Sequence, residues 1–357
     1  MKNTRTKFFG MNVQERDAFI AREDVKNYID AVRAVGLKRA VSGADLLIPD
    51  VMLELVREQI ENYSLLMGKV RKSTIKGNAR QNISGGIPEA IWTEACATLN
   101  ELDLKFYQTE FDGFKVGGYI AICNATLEDS DLNLASEIIT AISRAIGYAI
   151  DKAICYGKGA ASKMPIGIMT RLCQTTKPSD WGVNDRPWVN LSTSNVITIA
   201  SASKATTLFQ EIIKASAKAK KKYATGGKIW IMNETTHLNL TAEALTINAN
   251  GAIVSGIQNT MPIVGGEIIE LDFIPDNVII CGYAENYRLI ERSGMSLGSS
   301  KEARFLQDET LFAGRARYDG KPVIGEAFVA IGINGVTPTA AMTFPQDTAN
   351  ANASSAA

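Results

Sequence analysis

The sequence contains almost no histidine, a residue used in many catalytic relays and zinc sites. Its single histidine, His237, stands in the segment NETTHLNL. A Ser/His/Asp or Cys/His relay would have to use this residue, and no nucleophile motif surrounds it. No local spacing of ligands predicts a zinc site, and no P-loop or GxGxxG glycine pattern occurs. We therefore predict a protein that is not an enzyme and has no cofactor or metal. His237 is interpreted as a hydrogen-bonding residue at a strand–helix junction.

The sequence also lacks paired cysteines, a charge imbalance and long apolar runs. Its five cysteines are widely spaced without a CxxC pair, which favours reduced thiols in a cytosolic product. Basic and acidic residues number 38 each, so the formal net charge is zero and a strongly basic nucleic-acid binder is not indicated. No segment predicts a membrane span or a signal peptide. The length of 357 residues, 46 % of them hydrophobic, allows two or three subdomains with a sizeable core.

The strongest helical pattern lies in the middle of the chain, over residues 131–156. Isoleucine and alanine recur there at spacings of three and four, which predicts one buried face of an α-helix about 39 Å long. The segment LEDSD precedes it with candidate N-terminal caps, and Gly157 follows it as a candidate C-terminal cap. The many small alanines on the apolar face predict that another part of the chain lies close across it.

A long stretch before this helix contains little apolar material to bury. Residues 70–93 are rich in glycine, and residues 99–122 alternate between apolar and polar around Asp112-Gly113, a turn signal between two strands. This pattern predicts a long antiparallel ribbon. A segment of this length without a hydrophobic core of its own is either disordered or an arm that packs on a surface outside the segment.

The remaining segments predict further helices and strands. Amphipathic helices are expected at residues 13–35, 51–67 and 204–223, and a polar surface loop at 173–188. KIWIMN, PIVGGEIIEL, NVIICGY and YRLIERSG predict strands of a mixed or antiparallel sheet. LFAGRARYDG and PVIGEAFVAIGI predict two more strands, joined by a hairpin at Asp319-Gly320.

Several segments, in this order, resemble the major capsid proteins of tailed bacteriophages, the Hong Kong 97 fold family. The matching segments are WTE at 92–94, LEDSD at 127–131, DKA at 151–153, PIGI at 165–168, RARYDG at 315–320 and EAF at 326–328. The resemblance covers residues 41–334 and implies an α+β Hong Kong 97-type capsid fold.

The resemblance also implies how the subunit is divided. The implied parts are an N-terminal arm at 1–50, an extended E-loop β-hairpin at 68–120, a peripheral domain at 51–67 and 121–171 that includes a spine helix at 131–156, an axial domain with a mixed sheet at 172–289, return strands of the peripheral domain at 290–334 and a flexible tail at 335–357.

Such a subunit would be a major capsid protein that assembles with itself, through pentamers and hexamers, into an icosahedral shell around the double-stranded DNA of a tailed phage or prophage. Implied partners are portal and head-completion proteins, DNA held without sequence specificity and, in some relatives, a scaffolding protein, a maturation protease or a decoration protein; no membrane is implied. The implied location is the virion capsid, assembled in the cytoplasm of the bacterial host. A chain with no net charge suits a shell that encloses DNA without binding its phosphates tightly.

Candidate assembly residues follow from the resemblance and from the charge pattern. They are Arg80, Glu89, Trp92, Glu94, Arg315, Arg317 and Asp319. The last three alternate on one predicted strand and are candidates for ion pairs between capsomers, although solvated strand charges contribute little each. Residues 287–333 contain no asparagine, so the lysine–asparagine cross-link of some relatives is not expected. The short helix at 13–35 leaves open whether the chain is a processed form or depends on a separate scaffolding protein.

Two other interpretations stay open from the sequence. An encapsulin shell would have the same fold but would enclose a protein cargo, so the content of purified shells distinguishes it from a phage capsid. A hydrolase or binding protein would use His237 and the nearby Glu234. In that case His237→Ala should abolish an activity and leave assembly unchanged.

Overall fold

A computed structural model provides the fold of the chain. It describes residues 22–23, 25–27, 60, 63–75, 79–84, 92–93, 106–124, 133–179, 181–201, 205–221, 226–247, 261, 265–300, 302–345 and 347. Most of the helices predicted at 13–35 and 51–67, the LEDSD segment, the end of the tail and the candidates Glu89 and Glu94 lie outside these residues.

The described residues form both helices and strands. The helices are α1 (Asn133–Tyr156), α2 (Ile168–Cys173), α3 (Ala205–Ser216) and α4 (Glu234–Ile247). The strands are β1 (Arg71–Thr74), β2 (Ala79–Ser84), β3 (Phe106–Phe111), β4 (Phe114–Cys123), β5 (Val196–Thr198), β6 (Ile229–Met232), β7 (Glu267–Glu270), β8 (Val278–Gly282), β9 (Tyr287–Ser300), β10 (Glu309–Pro322) and β11 (Phe328–Gly332). In the described ranges, no helix combines the length and the apolarity needed to cross a bilayer.

The chain divides into two compact units. The first comprises Met1–Gly68, Phe114–Asp151 and Ser293–Tyr318, and the second comprises Lys69–Gly113, Lys152–Arg292 and Asp319–Ala357. Three of the five unit boundaries fall within α1, β9 and β10.

Helix α1 dominates the first unit and confirms the predicted long helix. Its isoleucines recur in the core at Ile138, Ile142, Ile146 and Ile150. At Gly147 a Cβ atom would lie only 3.3 Å from the backbone nitrogen of Ser64, so another backbone does lie close across the helix. This agrees with the prediction from its small residues.

A buried carboxylate joins α1 to the preceding segment. Asp151 accepts hydrogen bonds from the hydroxyl of Ser64 at 2.5 Å and from the backbone N–H groups of Leu65 at 2.9 Å and Leu66 at 3.2 Å. Burial raises the pKa of Asp151 to about 6, while the three hydrogen bonds act in the opposite direction.

The end of α1 differs from the prediction in one respect. The helix ends at Tyr156, as expected, but Gly157 does not have a positive φ; Gly159, two residues later, has φ of 92° and ψ of −169°, which lies outside the left-handed helical conformation of a C-terminal cap. Gly157 instead faces backbone: an added Cβ would collide with the carbonyl oxygen of Pro165 and lie 2.6 Å from that of Ala153. The glycine therefore allows close packing rather than a turn.

The second unit contains a mixed five-stranded sheet with the order β5-β11-β8-β6-β7. All residues of β6, β8 and β11 are buried, which confirms that KIWIMN and NVIICGY form core strands. Helix α3 is shorter than predicted: it ends at Ser216, and the N–H of Lys220 donates to the carbonyl oxygen of Glu326 instead of continuing the helix.

The hairpin predicted at Asp319-Gly320 is wrong. Strand β10 runs straight through this dipeptide, and β11 pairs with β5 and β8. Gly320 is needed for close packing, because a Cβ there would lie 2.8 Å from the Tyr287 ring and 2.9 Å from the carbonyl oxygen of Arg288. The pairing of β11 also places it in the sheet of residues 196–282 and not with the return strands at 290–334.

Candidate assembly surfaces

The predicted ribbon is present as strands β2 and β3. They pair antiparallel from Ala79 opposite Phe111 to Ser84 opposite Phe106, and among the described strands each pairs only with the other. Two strands alone are marginally stable in water. Asp112-Gly113 joins β3 to β4 as predicted, but β4 pairs with β10, so the two flanking strands belong to different sheets.

The base of the ribbon is held by a buried carboxylate, Asp185, in the loop between α2 and β5. Its Oδ1 accepts a hydrogen bond from the Thr109 hydroxyl of β3 at 2.5 Å. Its Oδ2 accepts from the backbone N–H of Gly182 at 2.9 Å and from the Lys321 ammonium at 3.4 Å. The Asp185 side chain is only 5 % exposed. We call Thr109, Asp185 and Lys321 the ribbon clasp.

The loop that carries Asp185 is packed around Arg171 of α2. This arginine is 4 % exposed, its guanidinium carbon lies 5.1 Å from the ring centre of Trp181 and 5.5 Å from that of Trp188, and it donates to the carbonyl oxygen of Val189 at 2.8 Å. Burial lowers the pKa of Arg171 to about 10, and the charge of Glu326 acts in the opposite direction. The cation–π contacts of Arg171 with Trp181 and Trp188 thus fix the loop to α2.

Residues 174–188 contain no helix or strand among those described and are mostly exposed or half-buried, which agrees with the surface loop predicted at 173–188 from proline and asparagine content. Sequence reasoning missed the burial of Asp185 within it. The available signal was a pair of tryptophans, Trp181 and Trp188, in an otherwise polar insert, since large aromatic side chains are usually at least partly buried.

Asp319 lies at a second contact with the ribbon base. Its carboxylate accepts hydrogen bonds from the backbone N–H of Asp112 at 2.6 Å and of Gly320 at 2.7 Å. Burial raises the pKa of Asp319 to about 7, while these hydrogen bonds and the charge of Lys321 act in the opposite direction. The Asp319 carboxylate therefore has partners within its own subunit.

The other candidate residues lie at separate places. Arg315 and Arg317 alternate on β10 as predicted and are both exposed, and Arg315 donates to the Ser296 hydroxyl at 2.9 Å. Arg80 lies on β2 opposite Glu110. The described residue Trp92 is fully exposed.

The turn between β9 and β10 presents an apolar surface that sequence reasoning missed. Phe305 is 79 % exposed and Leu306 is 92 % exposed. In the same unit Tyr119 is also exposed, with the Arg304 guanidinium 5.9 Å from its ring centre. Exposed apolar side chains that cluster in this way often mark interaction sites.

His237 is a buried residue with a carboxylate partner. It is buried in α4, and its Nδ1 lies 2.5 Å from Oε1 of Glu270 on β7. The interpretation as a hydrogen-bonding core histidine is confirmed, and its carboxylate partner is Glu270 rather than Glu234. Within the described ranges, no group of three His, Cys, Asp or Glu residues could hold a metal ion.

Comparison with known families gives the decisive observation. The model of the phage capsid family matches residues 44–333. This chain belongs to the phage capsid family. It is a phage major capsid protein, a structural subunit of the virion shell, and the match spans almost the same residues as the resemblance found in the sequence.

Solved phage capsid structures share the fold. The capsid of a native GTA particle matches with a TM-score of 0.56 and 14 % identity, covering 76 % of this chain and 90 % of that one. The Mycobacterium phage Bobi structure matches at 0.54 and 15 %, covering 76 % and 91 %. The satellite phage P4 procapsid, solved with its size determination (Sid) protein, matches at 0.54 and 13 %, covering 90 % and 98 %. The mixed α+β fold is therefore that of phage capsid subunits, and an encapsulin is not favoured. No curated protein sequence matches the chain.

Proposed function

We propose that this capsid protein forms an icosahedral shell around double-stranded DNA, through pentamers and hexamers, and that it does so without enzymatic activity. The observation that carries the proposal is the β2–β3 ribbon, which is fixed at its base by the ribbon clasp and pairs with no third strand in the described residues. A ribbon of this kind gains stability when it lies on a neighbouring subunit. Such heterologous contacts close into rings.

The division of the Hong Kong 97 fold is part of this proposal. Strands β2 and β3 would belong to the E-loop at 68–120, and α1 would be the spine helix of the peripheral domain. The five-stranded sheet would form the core of the axial domain, with β11 included in it because of its pairing with β5 and β8. The N-terminal arm at 1–50 would reach a neighbouring subunit.

The candidate residues would act at contacts between subunits. Exposed Arg315 and Arg317 would form ion pairs between capsomers, and exposed Phe305 and Leu306 would add apolar contacts between subunits. Arg80, Glu89, Trp92 and Glu94 would act in the ribbon region. Asp319 would contribute from inside the subunit, by holding the backbone of Asp112.

Other partners would join the assembled shell. Portal and head-completion proteins, packaged DNA, and a scaffolding protein, maturation protease or decoration protein are the classes we propose. The P4 procapsid structure contains a size determination protein, which supports the idea that accessory proteins bind this fold. Assembly would take place in the cytoplasm of the bacterial host.

The proposal is tested by assembly of the chain alone, followed by size-exclusion chromatography and negative-stain microscopy. Wild type should form closed icosahedral shells, or should do so when a scaffolding protein is added. Deletion of residues 74–90 should leave soluble monomers or capsomers that do not close. Deletion of residues 348–357 is the control and should leave shells intact. Normal shells from the 74–90 deletion would contradict the role of the ribbon, and a protein cargo instead of DNA in particles from the host would contradict the phage assignment.

A further inference from the structure

Strand β1 places two arginines side by side. It pairs in parallel with β9, and Arg71 is the direct partner of Arg288. Paired residues on adjacent strands project from the same face of a sheet, and the strands are about 4.8 Å apart. Two like charges directly opposite each other destabilise a strand pair. The arrangement therefore costs folding free energy unless another group compensates it.

No compensating carboxylate is present in the part of the chain that the structure describes. Among the described residues, neither the Arg71 nor the Arg288 side chain forms a hydrogen bond or an ion pair. Burial lowers the pKa of Arg288 to about 10, and the charge of Arg71 acts in the same direction as a smaller contribution. Arg71 is exposed and Arg288 is partly exposed, so a group from outside the subunit can reach both.

The surroundings favour a single acidic group as the partner. Lys69, two residues before Arg71, is already paired with Glu267 at 2.6 Å, and Lys72 projects from the opposite face of β1, so neither extends the arginine pair into a longer basic track. Binding to nucleic acid backbone relies on several phosphate contacts along such a track. Two adjacent guanidinium groups instead match one carboxylate, whose two oxygens can accept hydrogen bonds from the N–H groups of both arginines.

The position of β1 makes contact with another subunit possible. Among the described strands, β9 is the only neighbour of β1, so β1 is an edge strand of the described sheet. Edge strands are frequent sites of contact with another chain.

We infer that Arg71 and Arg288 together bind a carboxylate side chain from a second copy of this chain. The inference rests on the proposed self-assembly and names a contact that assembly would make. Its physical basis is that the intersubunit carboxylate relieves a repulsion that the free subunit carries. Stability of the subunit and stability of the shell should therefore respond in opposite directions to loss of either arginine.

Arg71→Gln and Arg288→Gln test this expectation, with Lys72→Gln as the matched control on the opposite face of the same strand. In the isolated subunit each arginine variant should melt at the wild-type temperature or above it. The critical concentration for shell assembly, measured by light scattering, should rise about tenfold or more for the arginine variants, because a charge-assisted hydrogen bond is lost. For Lys72→Gln it should change less than about threefold. Arginine variants with a wild-type critical concentration, or with equal loss of subunit and shell stability, would overturn the inference.

A photo-crosslinking amino acid at position 73, on the same face of β1 as Arg71, identifies the partner while both arginines stay in place. Shells assembled from equal amounts of ¹⁴N- and ¹⁵N-labelled subunits should yield crosslinks between labelled and unlabelled chains, at a peptide that contains Asp or Glu. Crosslinks confined to one copy, or to DNA in filled particles, would overturn the inference while leaving the shell-forming function in place. Failure of the wild type to form any shell would count against the proposed function and this inference together.

Discussion

Replacement of Asp185 by alanine tests whether the ribbon clasp holds the ribbon base. The change removes the acceptor of three donors: the Thr109 hydroxyl, the Gly182 N–H and the Lys321 ammonium. We expect the clasp to open, so that β3 loses its fixed position relative to the loop containing Asp185. The same loop also accepts a hydrogen bond from the backbone of β3, between Gln108 N–H and the Asn184 carbonyl oxygen at 3.0 Å.

The magnitude follows from the burial of these groups. A buried donor left without an acceptor costs about 1–3 kcal/mol, and removal of one partner of a buried ion pair costs about 3–5 kcal/mol. The Lys321 side chain is 15 % exposed and lies 3.4 Å from the carboxylate, so its ammonium can reach water after the change. We therefore expect Asp185→Ala to lower the free energy of unfolding by about 3–5 kcal/mol in total.

The measurement is urea unfolding of the isolated subunit, followed by circular dichroism and by tryptophan fluorescence. Thr109→Val removes a single donor and should cost about 1 kcal/mol. Asp272→Ala is the control, since this aspartate is exposed in the same unit, and it should cost less than about 0.5 kcal/mol. Hydrogen exchange should become faster in β3 and in residues 181–189 of the Asp185 variant.

Two results would refute this reasoning. One is an Asp185→Ala subunit as stable as the Asp272→Ala control, which would mean that the three hydrogen bonds contribute nothing. The other is a destabilised subunit whose β3 amides keep wild-type protection, which would mean that Asp185 supports its own loop and not the ribbon. In the assembly assay the variant should form fewer closed shells than the control.

Three further predictions follow from particular residues. Gly157→Ala should cost about 1–3 kcal/mol in thermal unfolding because its Cβ meets backbone, while Gly118→Ala, with open space around it, should change stability by less than about 0.5 kcal/mol; equal effects would contradict the packing role. Burial raises the pKa of Asp319 from 3.8 to about 7, so the folded state favours the protonated carboxyl. The free energy of unfolding that this group contributes is therefore full below pH about 4 and is lost as the pH rises through about 7. Urea titrations should show wild type losing about 2–3 kcal/mol between pH about 5 and about 7.5 that Asp319→Asn does not lose, and parallel curves would contradict this. The double change Phe305→Ser and Leu306→Ser should leave subunit stability within about 0.5 kcal/mol and weaken shell assembly, and an unchanged critical concentration would exclude these side chains from the contact.

Local residue patterns were enough to predict the long helix, the core strands and the family. Helix α1 follows from apolar residues at spacings of three and four, and β6 and β8 follow from short apolar runs between turn signals. The ribbon could be predicted because alternating residues with little to bury indicate extended chain without a core. The order of these segments was enough to indicate the capsid family, which the family match to residues 44–333 confirms.

Which strands pair and which polar residues become buried depends on contacts between distant segments of the fold. Nothing near Asp319-Gly320 in the sequence distinguishes a hairpin from a straight strand, because the reason for the glycine is the ring of Tyr287 on another strand. Asp185 and Thr109 are 76 positions apart, and Arg71 and Arg288 become neighbours only through the pairing of β1 with β9. Local patterns report the periodicity of a segment, whereas contacts between distant segments depend on how the whole chain fills its core. The ribbon clasp and the arginine pair therefore emerge only once the fold is formed.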